Sequence, residues 1–197
     1  MSARDEILSS IRARKLVPAP IPEAYRGAPV QGDLVAAFAD RASRQFADVR
    51  ILNSMRDVPD AVADILRDRN MAAEIHIPPD SPLAALALTS TEIKSTPPEQ
   101  NDAALTLAPH GIAATGTLAY TAGKGAPASW HFRPVLEIAV LRKSSIVGEL
   151  EDVLAKVGAL PSTLNLVTGP SRTGDIEQTM ELGAHGPKSL AILIVKD

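Results

Sequence analysis

Short, almost wholly apolar runs separated by polar, helix-like stretches constrain this chain more than any other feature of its sequence. Residues 103–108, 136–141 and 190–195 lack the polar–apolar alternation of a strand with one face in water. Runs of about four to eight such residues suit strands buried on both faces. Residues 117–121 form a further run of this kind, and 164–167 a shorter strand. Between the later runs, 148–157 places Leu150, Val153, Leu154 and Val157 on one helical side, and 175–182 reads as a helix entered from a loop. The first half repeats the pattern. Asp33 can cap a helix whose apolar face is Leu34, Phe38, Ala42 and Phe46, with a strand over 49–52 behind it. Asp57 and Pro59 open a second helix with Val62, Ile65 and Leu66 inward, ending near Asn70. A strand over 73–77 is stopped by Pro78 and Pro79, a short helix spans 83–88, and a weak strand covers 92–95. Strands alternating with helices imply an α/β fold, with a mostly parallel sheet flanked by helices.

The beginning of the chain has another texture. Residues 2–15 read as an amphipathic helix with Ile7, Leu8 and Ile11 on one stripe. Residues 17–32 carry Pro18, Pro20, Pro22, Gly27, Pro29 and Gly32, a density that gives an extended, Pro-rich arm. We therefore divide the chain into an N-terminal helix and arm over 1–32 and an α/β domain over 33–197. So short a helix needs a surface to pack on, either its own domain or another subunit.

Composition narrows the chemistry. With 197 residues and no cysteine, the chain has room for one core and no use of disulfides, thiolate zinc, thiol catalysis or all-cysteine iron–sulfur clusters. A net charge of −3 argues against nucleic acid as the main partner. The start carries charge of both signs with no apolar segment after it, and residues 103–120 are interrupted by Pro109, His110, Gly111 and Gly116. Neither a secretory signal nor a membrane span is expected, and the cytoplasm is the default location. His76, His110, His131 and His185 form no metal-binding pair in sequence, so no metal site is expected. Trp130 fits either a buried anchor or a cover over an opening.

The most informative stretch runs from Thr168 through Gly169, Pro170, Ser171, Arg172, Thr173 and Gly174 to Asp175, Ile176 and Glu177. Read as a strand end entering a helix, it places free N–H groups and a positive dipole end where an anion binds. Ser171 and Thr173 supply hydroxyls, and Arg172 a fork for a carboxylate. Asp175 with Gln178 equally fits a capping box, a purely structural role. His185, between a helix end at Gly183 and Pro187, is either a general base or a cap for a terminal carbonyl. A third element, His110 to Thr117, has small residues that let backbone approach a ligand, with hydroxyls on Thr115 and Thr117 beside Gly116. It also fits a tight turn whose hydroxyls serve local backbone.

Gly169 to Thr173 with Asp175, Ile176 and Glu177, followed by Gly183 and His185-Gly186-Pro187, resembles the C-terminal signature of the LutC/YkgG lactate-utilisation proteins of the LUD-domain group. Residues 112–117 resemble that family's central A-I-A-E-T-G-T element, with Ala114 where the family commonly has Glu. The resemblance implies a fold similar to the NagB/RpiA/CoA-transferase group and a role, with iron–sulfur partner proteins, in oxidising L-lactate to pyruvate. On that footing the chain is expected to be a non-redox subunit, inactive alone and without a cofactor of its own. It would bind a small carboxylate or phosphorylated ligand through Thr115, Gly116, Thr117, Gly169, Ser171, Arg172, Thr173 and Asp175. His185 is the candidate base and Glu177 a weaker catalytic candidate. Two other readings stay open: a free-standing CoA-transferase-like enzyme, in which Glu177 would be the activated carboxylate, and a metabolite-sensing binding module.

Overall fold

The computed structural model describes residues 2–13, 28–121, 123, 125, 127–158, 161–174, 180–182 and 186–196. The first half contains α1 (Ala3–Ala13), α2 (Leu34–Arg44), β1 (Asp48–Leu52), α3 (Val58–Asp68), β2 (Glu74–His76) and β3 (Glu92–Lys94). Then come β4 (Ala103–Ala108), β5 (His110–Ile112), β6 (Thr117–Thr121), α4 (Ser129–Phe132), β7 (Leu136–Arg142) and β8 (Ile146–Val147). The chain continues through α5 (Leu150–Val157), β9 (Leu164–Val167), β10 (Arg172–Gly174), β11 (Met180–Leu182) and β12 (Ser189–Val195). Residues 83–88, expected as a short helix, hold only the end of a 3-10 turn over Pro82–Ala85.

A six-stranded sheet in the order β1-β12-β7-β4-β2-β3 forms the centre, and each neighbouring pair in it is parallel. Alternate side chains of its strands enter two cores. Leu136, Ile138 and Val140 of β7 pack with Ala191, Leu193 and Val195 of β12 beneath Val58, Val62, Ile65 and Leu66 of α3. Ala139, Leu141, Leu190, Ile192 and Ile194 face the other way, against Phe38 and Ala42 of α2 and Leu118 and Tyr120 of β6. Burial on both faces is why these strands read as unbroken apolar runs. The α/β architecture expected from the sequence is the one observed.

Residues 117–121 and 164–167 do not join that sheet. They lie in a second, four-stranded sheet of order β8-β5-β6-β9, where β6 is antiparallel to both β5 and β9. The run at β6 looks doubly buried because it is: Leu118 and Tyr120 face the central sheet, while Ala119 packs with Val153 of α5. The helix expected over 175–182 is also overturned over its last three residues. Met180–Leu182 is a strand paired antiparallel with Arg172–Gly174, and residues 175–179 lie outside the described residues. Over so short a window, apolar positions at Met180 and Leu182 satisfy a strand period as well as a helical one.

Asp33 caps α2 as expected, its carboxylate accepting from the N–H groups of Val35 (2.8 Å) and Ala36 (3.4 Å). Phe38 and Ala42 are buried, but Phe46 leaves the apolar face and is 62% exposed. The helix has already ended at Arg44, with Gln45 as its cap. In α1 no residue is fully buried; of the stripe expected to dock, Ile7 and Ile11 stand exposed and Leu8 is half-buried. The arm over 17–32 lies mostly outside the described residues. No described helix is long and apolar enough to cross a membrane.

Candidate functional site

Two of the segments singled out in the sequence meet on the C-terminal end of α2. The turn after β5 is held by Ala113 N–H to Val147 O (2.8 Å) and Gly116 N–H to Ile112 O (2.9 Å). Gly116 has φ +69, and a Cβ there would lie 2.4 Å from the backbone nitrogen of Ala42. Arg41 donates through Nη1 to Ala113 O at 2.6 Å, fastening the turn to the helix. The turn after β9 approaches from the other side. Gly169 has φ +70, and a Cβ there would lie 2.2 Å from Gln45 O. Only a residue without a side chain fits either contact.

Hydroxyls join the two turns. Thr115 Oγ1 lies 2.6 Å from Thr117 Oγ1, which lies 2.7 Å from Thr168 Oγ1. A row of hydroxyls linked in this way keeps one O–H hydrogen beyond its internal bonds, available to a ligand oxygen. Ser171 N–H donates to Pro187 O (2.8 Å), and Gly186 packs closely on the Ser171 Cβ, so the Gly169-to-Thr173 motif and Gly186-Pro187 are brought together. The Arg172 guanidinium lies 3.4 Å over the Phe46 ring.

Two adjoining clefts result. One, of about 380 Å³, is lined by Phe46, Phe132, Leu166, Thr168, Gly169, Ser171 and Arg172 among others. The second, of about 410 Å³, is lined by Arg41, Arg44, Gln45, Ala114, Thr115, Thr117 and Thr168. Gln45 and Thr168 border both. Ala114 is thus part of the cleft wall at the position where the resembled family commonly carries Glu. No carboxylate lines either cleft among the described residues. Arg44 is held by Asp40 at 3.0 Å on the exposed side of the helix.

The location differs from the expected one. The turn carrying Gly169 and Ser171 leaves the second sheet, and the clefts sit where β1 and β12 begin, at the amino ends of the parallel strands. The nearby helix end is the C-terminus of α2, whose dipole repels anions. Positive charge therefore comes from Arg41, Arg44 and Arg172, not from a helix N-terminus. Of the expected site residues, Thr115, Gly116, Thr117, Gly169, Ser171 and Arg172 are gathered here. Thr173 is placed by its backbone in β10, while Asp175, Glu177 and His185 lie outside the described residues.

Phe46 marks this end of α2. Its N–H donates to Ser43 O (2.9 Å) and the Ala47 N–H to Ala42 O (3.1 Å), the paired bonds of a left-handed helix stop. Phe46 occupies the left-handed position itself, at φ 68. α3 ends in the same way with Asn70 at φ 52. Glycine or asparagine is usual at such a stop, and a bulky residue there costs about 1–2 kcal/mol.

A second constellation escaped the sequence reading. Glu137 of β7 is fully buried, and its Oε1 accepts from Thr106 Oγ1 (2.8 Å), Tyr120 OH (2.9 Å) and His131 Nδ1 (2.8 Å). The Tyr120 and His131 rings stack with centroids 3.7 Å apart. Glu137 Oε2 and His131 Nε2 have no protein partner. A lone Glu inside the run Leu136 to Leu141 was the available signal. Trp130, beside this cluster, is a buried anchor 6.3 Å from His76.

Burial, with the Glu137 carboxylate beside it, holds the Tyr120 phenol well above the usual tyrosine range. Because the folded value is raised, this contribution to stability is complete below about pH 10 and is lost as pH climbs beyond it, where unfolding lets the phenol ionise. Tyr120→Phe is expected to flatten the fall in urea midpoint between about pH 9 and pH 11. An equally steep fall in the variant would refute this assignment.

Among the described residues no group of three His, Cys, Asp or Glu is placed to hold a metal ion. A family model described as the LUD domain matches residues 35–195. "Lactate utilization protein C" of Halalkalibacterium halodurans is 32% identical over 106 residues, half of this chain and 46% of that protein. The protein of the same name from Bacillus subtilis is 32% identical over 106 residues, 44% of its length. The match thus spans about half the length of these relatives. A crystal structure of a DUF162 family protein from Deinococcus radiodurans shares the fold, with a TM-score of 0.65 and 23% identity over 82% of this chain and 96% of that one. The resemblance read from the Gly169-to-Pro187 and Ile112-to-Thr117 motifs holds, and the chain belongs to the LUD domain family.

Proposed function

We propose that this chain is the non-redox component of an L-lactate-to-pyruvate system and binds a small carboxylate or phosphorylated ligand in the joined clefts. The observation that carries the reading is the convergence of Arg41, Arg44 and Arg172 with the Thr115–Thr117–Thr168 hydroxyl row at a place lined by no described carboxylate. The names of the relatives support a role in lactate utilisation, and the oxidation of L-lactate to pyruvate with iron–sulfur partners is what the family resemblance implies. Arg172 pairs with the anion, while Ser171 and Thr173 orient it. His185 is the candidate base, with Glu177 as a weaker catalytic candidate and Asp175 as a further ligand contact.

Oxidising lactate removes two electrons, and no ordinary side chain stores them. A chain without cysteine offers no thiolates to an iron–sulfur cluster, so the clusters belong to partner proteins in this scheme. Lactate-dependent dye reduction tests it. The purified chain alone should show no turnover, and adding the iron–sulfur partners should restore it. Arg172→Ala should lower the reconstituted rate by about 10-fold or more at subsaturating lactate, the worth of one charge-assisted hydrogen bond. Turnover by the isolated chain would overturn the proposal.

A further inference from the structure

We propose that the 380 Å³ cleft takes an anion carried on a planar aromatic ring system, the chemistry a nucleoside phosphate presents, with Phe46 and Arg172 recognising the ring. This rests on the anion-cleft reading above and names the class of ligand.

Exposed large apolar side chains are concentrated here. Phe46 (62% exposed), Leu166 (46%) and Phe132 (37%) all line this one cleft. The other such residues, Ile7, Ile11, Ile51, Ile93 and Leu154, lie on α1, on the two edge strands of the central sheet and on α5. Phe46 is the most telling of the cleft residues. It holds a left-handed position that glycine fills without strain, and its exposure returns little burial to offset that strain. Strain retained at an exposed aromatic in a cleft points to a role in recognition.

The geometry says what is recognised. With the Arg172 guanidinium 3.4 Å over the Phe46 ring, two flat groups are already stacked. A guanidinium stacked in this way keeps its N–H edge for an anion and offers its outer face to another flat ring. An alkyl chain gains little from such a platform. The polar contacts lie alongside, at Thr168 and in the adjoining cleft at Arg44 and Thr115. The cavity size falls in the range of small-molecule sites, roughly 300–1,000 Å³. A three-carbon acid would leave the aromatic wall untouched.

Calorimetry on the full chain, supported by the fluorescence of its single tryptophan, tests the assignment with adenosine 5′-monophosphate, ribose 5-phosphate, hexyl phosphate and lactate. The nucleotide should bind about 10-fold or more tighter than ribose 5-phosphate or hexyl phosphate, the increment one stacked ring supplies. Phe46→Gly, which removes strain and so should fold, should erase that increment, so that the nucleotide binds this variant no tighter than ribose 5-phosphate does. Arg172→Lys, which keeps the charge but not the flat fork, should reduce nucleotide binding more than ribose 5-phosphate binding. If the nucleotide binds no tighter than either other phosphate, or if Phe46→Gly leaves its affinity unchanged, the ring assignment is wrong while the anion cleft stands. If none of the phosphates nor lactate binds, both fall.

Discussion

Glu137→Ala is expected to destabilise the protein by about 3–5 kcal/mol, measured by urea unfolding near neutral pH. The size follows from what remains behind. Thr106, Tyr120 and His131 all direct hydrogen-bond donors at Glu137 Oε1, and Tyr120, His131 and Glu137 are fully buried with Thr106 nearly so. Removing the acceptor leaves His131 Nδ1 without a partner, and Thr106 Oγ1 and Tyr120 OH with only each other at 3.3 Å, which costs more than the bonds contributed. Glu137→Gln keeps an acceptor of the same shape and should cost less. Replacing the whole set with apolar groups, as Glu137→Leu with Thr106→Val, Tyr120→Phe and His131→Leu, should recover part of the loss, because no orphaned polar group remains. A cost below about 1 kcal/mol for Glu137→Ala would show that the cluster is not satisfied in the way described.

That cluster shows why part of the structure was illegible in the sequence. Its members come from β4, β6, α4 and β7, and only the stacking of the second sheet on the first brings them together. Periodicity reports which face of an element is apolar, not which elements share it. By contrast, the Asp33 cap, the α3 stripe of Val62, Ile65 and Leu66, and the doubly buried β4, β7 and β12 were all readable, because each depends on near neighbours in sequence. β5 and β8, three and two residues long, carry too little pattern to be read, and without them the second sheet could not be inferred. The same omission misplaced the Gly169-to-Arg172 turn. Taken as the exit of a parallel strand, it pointed to the carboxyl edge of the sheet. As the exit of β9 it arrives at the opposite edge. Six of the motif residues meet at one place, but in surroundings other than those expected, since a motif is local and a sheet edge is a property of the whole topology.

The dependence of that edge on one close approach leads to the other large expected effect. Gly169→Ala should cost about 3 kcal/mol or more, well above the cost of an alanine at an unobstructed position of positive φ. Gly32 is the matched control: it has φ +82, and a Cβ there meets nothing within 4 Å. Gly32→Ala therefore measures backbone strain alone, about 1 kcal/mol. At Gly169 the same strain is joined by a contact of 2.2 Å with Gln45 O and 3.1 Å with the Gln45 Cβ. Neither atom is the free end of a flexible side chain, so either the turn or the end of α2 must move. Because Gln45 borders both clefts and Thr168 precedes Gly169, the movement breaks the Thr117–Thr168 bond and separates Arg172 from Phe46. Anion binding should fall together with stability in Gly169→Ala, whereas Gly32→Ala should bind as the parent does. Equal losses of stability in the two variants would mean that the turn is free to shift and that the clefts are not built on this contact.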